Sequence, residues 1–298
     1  MGGRCESLDE GVPVSMSKRR DMETHIRSLG EISDIMSAMK NLAMMETQKL
    51  TKLLSAQERL VSSMLAAGMD FLTFYPEALP TAEPGRPLYL VIGSERGFCG
   101  DYNEKVCASV HEQLQVVGDK DPVLITIGRK LAAWVSDNRY VAERLEGASV
   151  AEEVPSVMTR VMDHVHRLQR EDGSNRRVTI TVVSHDVETG GVHTQTLRAF
   201  ELFSGRTAGF TDPPALNLAP PVFLAELLEL YFFSLLYKIF YSALVAENRA
   251  RMSHLEGAIQ RLDRETTELE LKRNTLRQEE ITEEIELLML SAKRLWRR

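Results

Sequence analysis

The segment YLVIGSERGFCGDYNEKV, residues 89–106, runs an apolar strand pattern into a glycine-rich turn and then into a helical pattern. Many proteins bind phosphate with backbone amides in this arrangement, but the turn lacks the residues that such sites use. Its glycines are spaced G-x-x-x-G-x-x-G, no Gly-Lys-Ser/Thr follows, and Glu95 and Asp101 would repel a pyrophosphate. The segment therefore predicts a tight strand-to-helix turn without a bound nucleotide or other cofactor.

Apolar runs and helical patterns alternate on both sides of this turn. They predict strands at residues 88–93, 122–128 and 178–184, and helices near residues 101–117, 129–138 and 151–171. A βαβαβ order implies parallel strands joined by right-handed crossovers. A hairpin signal from Glu188 to Gly191 adds one antiparallel strand. We therefore expect a small, mostly parallel α/β domain in the middle of the chain.

Residues 17–74 contain no proline and predict one helix about 85 Å long. Their apolar residues recur at a helical period, which indicates a single buried stripe along the helix. The predicted stripe consists of Met22, Ile26, Leu29, Ile32, Met36, Met39, Ala43, Leu50, Leu53 and Leu60.

A second long helix is predicted from about Pro221 to the end of the chain. Apolar residues at every seventh position, with others between them, form a coiled-coil heptad. These are Leu255, Leu262, Leu269 and Leu276, with Met252 and Ile259 between them; the pattern then slips and resumes at Ile281, Ile285, Leu288 and Leu295. Because both long helices join the middle domain, they can pair only antiparallel, with the C-terminal helix overhanging.

The predicted fold class is thus α/β plus a long α-helical coiled coil. The N- and C-terminal helices form an antiparallel two-helix shaft, into which the small, mostly parallel α/β domain is inserted. The predicted boundaries are a flexible extension at 1–16, shaft helices at 17–75 and 221–298, and the α/β domain at 76–220.

Composition excludes several classes of function. A net charge of −7 argues against a nucleic-acid binder, which needs a basic face. Three cysteines without a CxxC pair argue against a disulfide framework or a structural zinc, and favour a cytoplasmic compartment. The apolar run at 221–250 is interrupted by Glu226, Glu229 and Lys238, so it predicts a buried helix, and any membrane association would be through partners.

Several runs resemble the gamma subunit of rotary F-type ATP synthases, the central shaft that turns inside a hexamer of alpha and beta subunits. IMSAMK at 35–40 is similar to that family's ITKAMK, and SERGFCGDYN at 94–103 to its TDRGLCGGLN. AENRARM at 246–252 resembles its SEQAARM, and NTLRQEEIT at 274–282 its NKARQAAIT. The resemblance covers about residues 16–298.

The resemblance implies a non-catalytic rotor that couples ATP synthesis or hydrolysis to proton or sodium transport. Its implied partners are the alpha and beta subunits, an epsilon subunit and the membrane ring of c subunits, at the cytoplasmic face of the bacterial inner membrane. It implies contacts with the hexamer at Met39, Lys40, Arg251, Met252, Gln278 and Thr282. It also implies a signature turn that contains Arg96, Gly97, Cys99, Gly100 and Asn103.

Three departures from the family pattern indicate a divergent branch, such as an alternative synthase carried beside an ordinary one. NLAMMETQKL at 41–50 replaces a basic, alanine-rich run, Asp101 stands where a second glycine is usual, and the tail SAKRLWRR is bulky and basic. Because burial of an unpaired charge is costly, the basic tip should either project into solvent or meet acidic residues on the hexamer, and projection into solvent is favoured.

Two other classes of function remain open on the sequence alone. A structural coiled-coil adaptor with an α/β recognition head would show the same shaft without depending on a hexameric ATPase. An enzyme built on the α/β domain would need a pocket at the carboxyl ends of its strands.

Overall fold

The computed structural model describes residues 14–79, 86–117, 122–135, 139–171, 179–197 and 212–295. Most of the extension predicted at 1–16 and the last three residues of the predicted basic tip lie outside these ranges. No helix within these ranges combines the length and the apolar composition that a bilayer crossing requires. Nor do the described residues place three His, Cys, Asp or Glu side chains together as metal ligands.

Five strands form one mixed sheet in the order β3-β2-β1-β4-β5. Strands β1, β2, β3 and β4 run parallel to one another, and β5 pairs antiparallel with β4, as the hairpin signal predicted. The strands are β1 (Pro87–Ile92), β2 (Val123–Ile127), β3 (Val141–Leu145), β4 (Thr179–His185) and β5 (Val192–Thr196). The helices are α1 (Val14–Phe74), α2 (Tyr102–Val117), α3 (Arg129–Ala132), α4 (Val154–Glu171) and α5 (Pro220–Leu295).

The sheet has a buried core on each face. Successive side chains of a strand point to opposite faces, and β1 shows this division. Its Leu88 and Leu90 pack in a cluster with residues of α1, α4 and α5. Its Tyr89 and Val91 pack in a second cluster with residues of α2 and α3. The strands are therefore buried on both sides, which explains their nearly continuous apolar sequences.

The strand β3 was missed by the sequence analysis, and the helix predicted at 129–138 is wrong in length. Within the described residues, that helix is the four-residue α3. The sequence VAERL of β3 carries Glu143 and Arg144, and its residues alternate between half-buried and exposed. The apolar pattern of β3 is weak because the strand lies at the edge of the sheet, where its side chains are less completely covered than those of the central strands.

The chain divides into two compact units, Asn41–His254 and the pair of segments Met1–Lys40 with Leu255–Arg298. The second unit contains the paired ends of α1 and α5. Arg19 Nε lies 3.1 Å from Glu280 Oε2, His25 Nε2 lies 3.5 Å from Glu265 Oε1, and Lys40 pairs with Glu256. As the residue numbers increase along α1, the numbers of their partners on α5 decrease. The two helices therefore pair antiparallel.

The heptad predicted on α5 is confirmed up to Leu276. Its buried and half-buried seam comprises Leu255, Ile259, Leu262, Thr266, Leu269, Arg273, Leu276 and Glu280. Beyond the slip in the pattern Ile281, Ile285 and Leu288 are exposed, as expected where the C-terminal helix overhangs its partner. Every residue from 281 to 293 is exposed, and Glu280 already pairs with Arg19 near the start of α1.

The stripe predicted on α1 is partly wrong. The covered positions of α1 alternate in steps of three and four through Met22, Ile26, Leu29, Ser33, Met36, Lys40, Ala43, Thr47, Leu50 and Leu54. Ile32, Leu53 and Leu60, which the apolar pattern selected, are exposed. Three seam positions, Ser33, Lys40 and Thr47, are polar. A prediction based on apolar residues alone therefore selects an adjacent residue, such as Ile32 in place of Ser33.

Candidate functional site

The signature turn follows β1 at the carboxyl edge of the sheet. Phe98 adopts a φ of 64° and Gly100 a φ of 61°, both in the left-handed region. That region is strained for a side chain as large as phenylalanine, and the Phe98 side chain is 49% exposed. Asn103 closes the turn, since its Oδ1 accepts the Ser94 amide at 2.9 Å and its Nδ2 donates to Ser94 Oγ at 2.8 Å.

Glu95 cross-links the loops that follow three neighbouring strands. Its buried carboxylate accepts the amides of Arg129 at 3.0 Å and Gly147 at 2.7 Å, and it pairs with Arg129 Nε. Arg129 follows β2 and Gly147 follows β3. The Arg129 and Gly147 amides at this edge are therefore occupied by a carboxylate of the chain itself, which leaves neither of them for a phosphate.

A buried ion pair on α5 holds the turn from the other side. Glu247 is 3% exposed and Arg251 is 5% exposed, and their side chains pair directly. The Glu247 carboxylate accepts the amides of Glu95 and Arg96, each at 3.4 Å. Arg251 Nε donates to the Gly97 carbonyl at 3.2 Å, and its Nη1 donates to Asn248 Oδ1 at 2.8 Å. Burial raises the pKa of the Glu247 carboxyl above its ordinary value, and the Arg251 guanidinium opposes that shift.

Two further attachments join α5 to the same edge of the sheet. Tyr102 Oη donates to the Ala243 carbonyl at 3.0 Å. Ser242 Oγ donates to Asp186 Oδ1 at 2.8 Å and accepts the Val187 amide at 3.1 Å. The α5 residues 242–251 thus contact the turn after β1, the start of α2 and the turn after β4. We call these ten residues the attachment segment.

His185 packs against Tyr102, whose hydroxyl makes the contact between the start of α2 and the attachment segment. Its ring stacks on the Tyr102 ring with centroids 3.9 Å apart, and its Nε2 lies 2.9 Å from the Tyr102 carbonyl oxygen. Burial lowers the pKa of His185 below its ordinary value, against the opposing effect of that hydrogen bond. The imidazole is therefore neutral near pH 7 and acts as a packed hydrogen-bonding group.

The chemistry available at this site is structural. Burial raises the pKa of the Cys99 thiol to about 11, which leaves it protonated and a poor nucleophile. Its Sγ donates instead to the Gly97 carbonyl at 3.4 Å. A cavity of about 20 Å³ beside Glu247 has room for one water molecule and none for a substrate. An enzyme active site has no support from this geometry.

The structure brings the predicted signature residues together, whereas the predicted hexamer contacts are distributed over the two long helices. Arg96, Gly97, Cys99, Gly100 and Asn103 form one turn, and Arg251 joins them. Met39, Lys40 and Met252 are half-buried on the long helices, and Gln278 and Thr282 are exposed near the end of α5. Lys40 pairs with Glu256, and the Thr282 hydroxyl donates to the Gln278 carbonyl at 2.9 Å. The hydrogen bonds of Arg251 are internal to the chain.

The side chains of Glu95, Glu247 and Asn248 organise the turn, but the sequence pointed to Glu95 only as a charge that would repel a pyrophosphate and did not point to the other two. One signal for Glu247 was available. A glutamate and an arginine four residues apart stand at the end of a long apolar run, where charged residues are rarely buried unless paired. Glu95 carried no comparable signal, because its partners are backbone amides distant in sequence.

The comparison with protein families gives one match over most of the chain. The family model described as ATP synthase matches residues 18–292. The ATP synthase gamma chain of Heliobacterium modesticaldum is 25% identical over 287 residues, which are 91% of this chain and 96% of that relative. The ATP synthase gamma chain of Mycobacterium ulcerans is 31% identical over 137 residues, 44% of this chain and 45% of that relative.

Solved structures with the same fold include chains of two mitochondrial ATP synthases. A chain of the Euglena gracilis enzyme in rotational state 3 matches with a TM-score of 0.60 at 15% identity, over 94% of this chain and 95% of that one. A chain from the central stalk and c-ring of the Tetrahymena thermophila enzyme matches with a TM-score of 0.55 at 18% identity, over 75% and 99%. The fold is shared, and with the family match over residues 18–292 it follows that this chain belongs to the family of ATP synthase gamma chains.

Proposed function

We propose that this chain is the non-catalytic rotor subunit of an F-type ATP synthase. It transmits torque between an ion-driven ring in the membrane and the catalytic hexamer of alpha and beta subunits. In this way it couples ATP synthesis or hydrolysis to proton or sodium transport. Its relatives are named ATP synthase gamma chain, and its structural neighbours include chains of a rotor and a central stalk.

The observation that carries this proposal is the uncovered apolar end of α5. We call residues 281–293 the tip segment. Its side chains include Ile281, Ile285, Leu287, Leu288, Met289 and Leu290, of which Leu287 is 67% and Leu288 68% exposed. These side chains lie on several sides of the helix. Exposed apolar side chains in this number support a partner-binding surface, and a surrounding sleeve of hexamer subunits would cover them.

The proposed contacts with the hexamer are Met39, Lys40, Arg251, Met252, Gln278 and Thr282. Exposure of Gln278 and Thr282 supports their part in the proposal, whereas Arg251 would contribute through the turn that it holds. The epsilon subunit and the ring of c subunits would contact the α/β domain. The chain would then lie at the cytoplasmic face of the bacterial inner membrane, attached through its partners.

The functional division of the chain is part of the same proposal. Shaft helices at 17–75 and 221–298 would flank an α/β domain at 76–220. The end of α1 at Phe74 and the start of α5 at Pro220 support these boundaries. The compact units break at Lys40 and Leu255 instead, so part of each shaft helix folds with the sheet.

The test is purification of an affinity-tagged chain from its source cell, followed by identification of its partners and by an assay of rotation. We expect alpha and beta subunits in the purified complex, and ATP-driven rotation of a probe attached to this chain when the hexamer is immobilised. Purification without those subunits would contradict the proposal and would favour the coiled-coil adaptor.

A further inference from the structure

The attachment segment concentrates polar contacts where α5 otherwise packs through apolar side chains. Phe240 just before the segment, and Leu244 and Val245 within it, belong to the apolar cluster that covers one face of the sheet. Within the same ten residues, Ser242, Ala243, Glu247 and Arg251 make hydrogen bonds to the turn after β1, the start of α2 and the turn after β4. Burial alone does not require this arrangement, because apolar side chains would fill the space without desolvating two charges.

We propose that Glu247 and Arg251 are positioning residues that form a torque-carrying joint between helix α5 and the sheet. The inference rests on the proposed rotor function and names the place where load crosses from the α/β domain to α5. The joint acts through the signature turn, which it grips at three consecutive residues, Glu95, Arg96 and Gly97.

The geometry distributes load over the carboxyl edge of the sheet. Glu247 holds the backbone of Glu95, and the Glu95 side chain holds Arg129 and Gly147 beyond the ends of β2 and β3. A twist of α5 against the turn is therefore resisted by loops that follow three adjacent strands. These strands are joined to one another by backbone ladders.

The chemistry of the joint suits torque better than an apolar contact does. Hydrogen bonds weaken steeply as their angle departs from linear, so they oppose rotation of one element against another. The hydrophobic effect is not directional and opposes separation more than sliding. A buried ion pair is also weak evidence of added stability, since apolar replacements of similar volume are often equally stable. Its value here is a fixed register between helix and turn.

The strained backbone of Phe98 supports the proposal that Glu247 and Arg251 hold the turn in one conformation. Arg251 holds the carbonyl of Gly97, the residue directly before Phe98, and Cys99 Sγ donates to that same carbonyl. A left-handed phenylalanine persists only where its surroundings fix the backbone. The joint therefore fixes the turn against a conformational preference that would otherwise relax it.

The experiment measures the stiffness of the joint in the assembled complex. The hexamer is immobilised, a probe is attached to the α/β domain, and the angular variance of the probe is recorded while the rotor waits for ATP. Arg251→Lys keeps the charge beside Glu247 but cannot bond Asn248 and Gly97 together. Glu247→Leu with Arg251→Met replaces both charges by apolar groups. Arg249→Met is the matched control, because Arg249 is exposed on the same helix.

We expect the double variant to raise the angular variance about 1.5-fold, because it removes one of the three contacts of the attachment segment, the one with the turn after β1. The variance of Arg251→Lys should lie between those of the double variant and the wild type. Arg249→Met should match the wild type. Equal variance in the wild type, Arg251→Lys and the control would overturn the inference, and Arg251→Lys decides it alone if the double variant does not assemble. A purely structural role would lower the thermal midpoint of the chain without changing the variance. A wild-type complex that does not rotate at all would instead refute the proposed function.

Discussion

The attachment segment and the tip segment lie on the same helix, and each departs from the usual rule that apolar side chains are buried and charged ones exposed. The first buries Glu247 and Arg251 at 3% and 5% exposure, and the second exposes Leu287 and Leu288 at 67% and 68%. Soluble proteins bury charges only when they are paired, and they seldom expose a contiguous apolar surface. The buried charges have their partners within the chain, whereas the exposed leucines have none among the described residues. One helix thus carries buried charges that are paired within the chain and apolar side chains that the described residues leave uncovered.

The largest effect on stability is expected from breaking the buried pair on one side. Arg251→Met leaves the Glu247 carboxylate buried without its cation, which should lower the free energy of unfolding by about 3–5 kcal/mol. Urea denaturation of the full chain measures this value. Arg249→Met serves as the control and should stay within about 0.5 kcal/mol of the wild type. A loss below about 1 kcal/mol for Arg251→Met would show that water reaches the carboxylate or that the carboxyl is protonated in the variant.

A smaller loss is expected at Glu95. Glu95→Ala removes the acceptor for the Arg129 and Gly147 amides, and a buried donor without a partner costs about 1–3 kcal/mol. The same denaturation experiment applies, with Glu146→Ala as the control because Glu146 is exposed beside Gly147. If both variants are equally stable, the loops after β2 and β3 do not depend on this carboxylate.

The edge of the sheet should also respond to acid through His185. Its pKa is lowered in the folded chain, so below about pH 6.5 the unfolded chain binds a proton that the folded chain resists. The contribution of His185 to stability is therefore complete above that pH and is lost as the pH falls toward the lowered pKa. Denaturation midpoints measured from pH 7.5 to pH 5 should show this decline, and His185→Gln should remove that part of it. An unchanged decline in the glutamine variant would assign the effect to other groups.

Some parts of this fold and site can be predicted from the sequence and others cannot, and the difference has physical reasons. Hydrophobic period and turn residues are local, so the two long helices, four of the five strands and the antiparallel hairpin were all predictable. Strand β3 was not, because an edge strand needs only half of the apolar pattern. The bonds of Glu95 and Glu247 join residues up to 152 positions apart, and no local pattern encodes them. The turn itself was predictable from its glycines, and the resemblance marked its residues as a signature, but neither gave their hydrogen bonds.

The exposed leucines of the tip segment should matter least to the chain by itself. Replacing Leu287 and Leu288 by serine removes side chains that are already in water, so the free energy of unfolding should change by less than about 0.5 kcal/mol. Leu262→Ser with Leu269→Ser is the matched control, since both leucines lie half-buried in the heptad seam of the same helix. That pair should cost about 2 kcal/mol or more. In complexes with alpha and beta subunits we expect the tip variant to dissociate faster than the wild type, because the partner loses an apolar contact. If the tip variant instead destabilises the isolated chain as much as the seam variant does, the tip is covered within the chain and is not a surface for the hexamer.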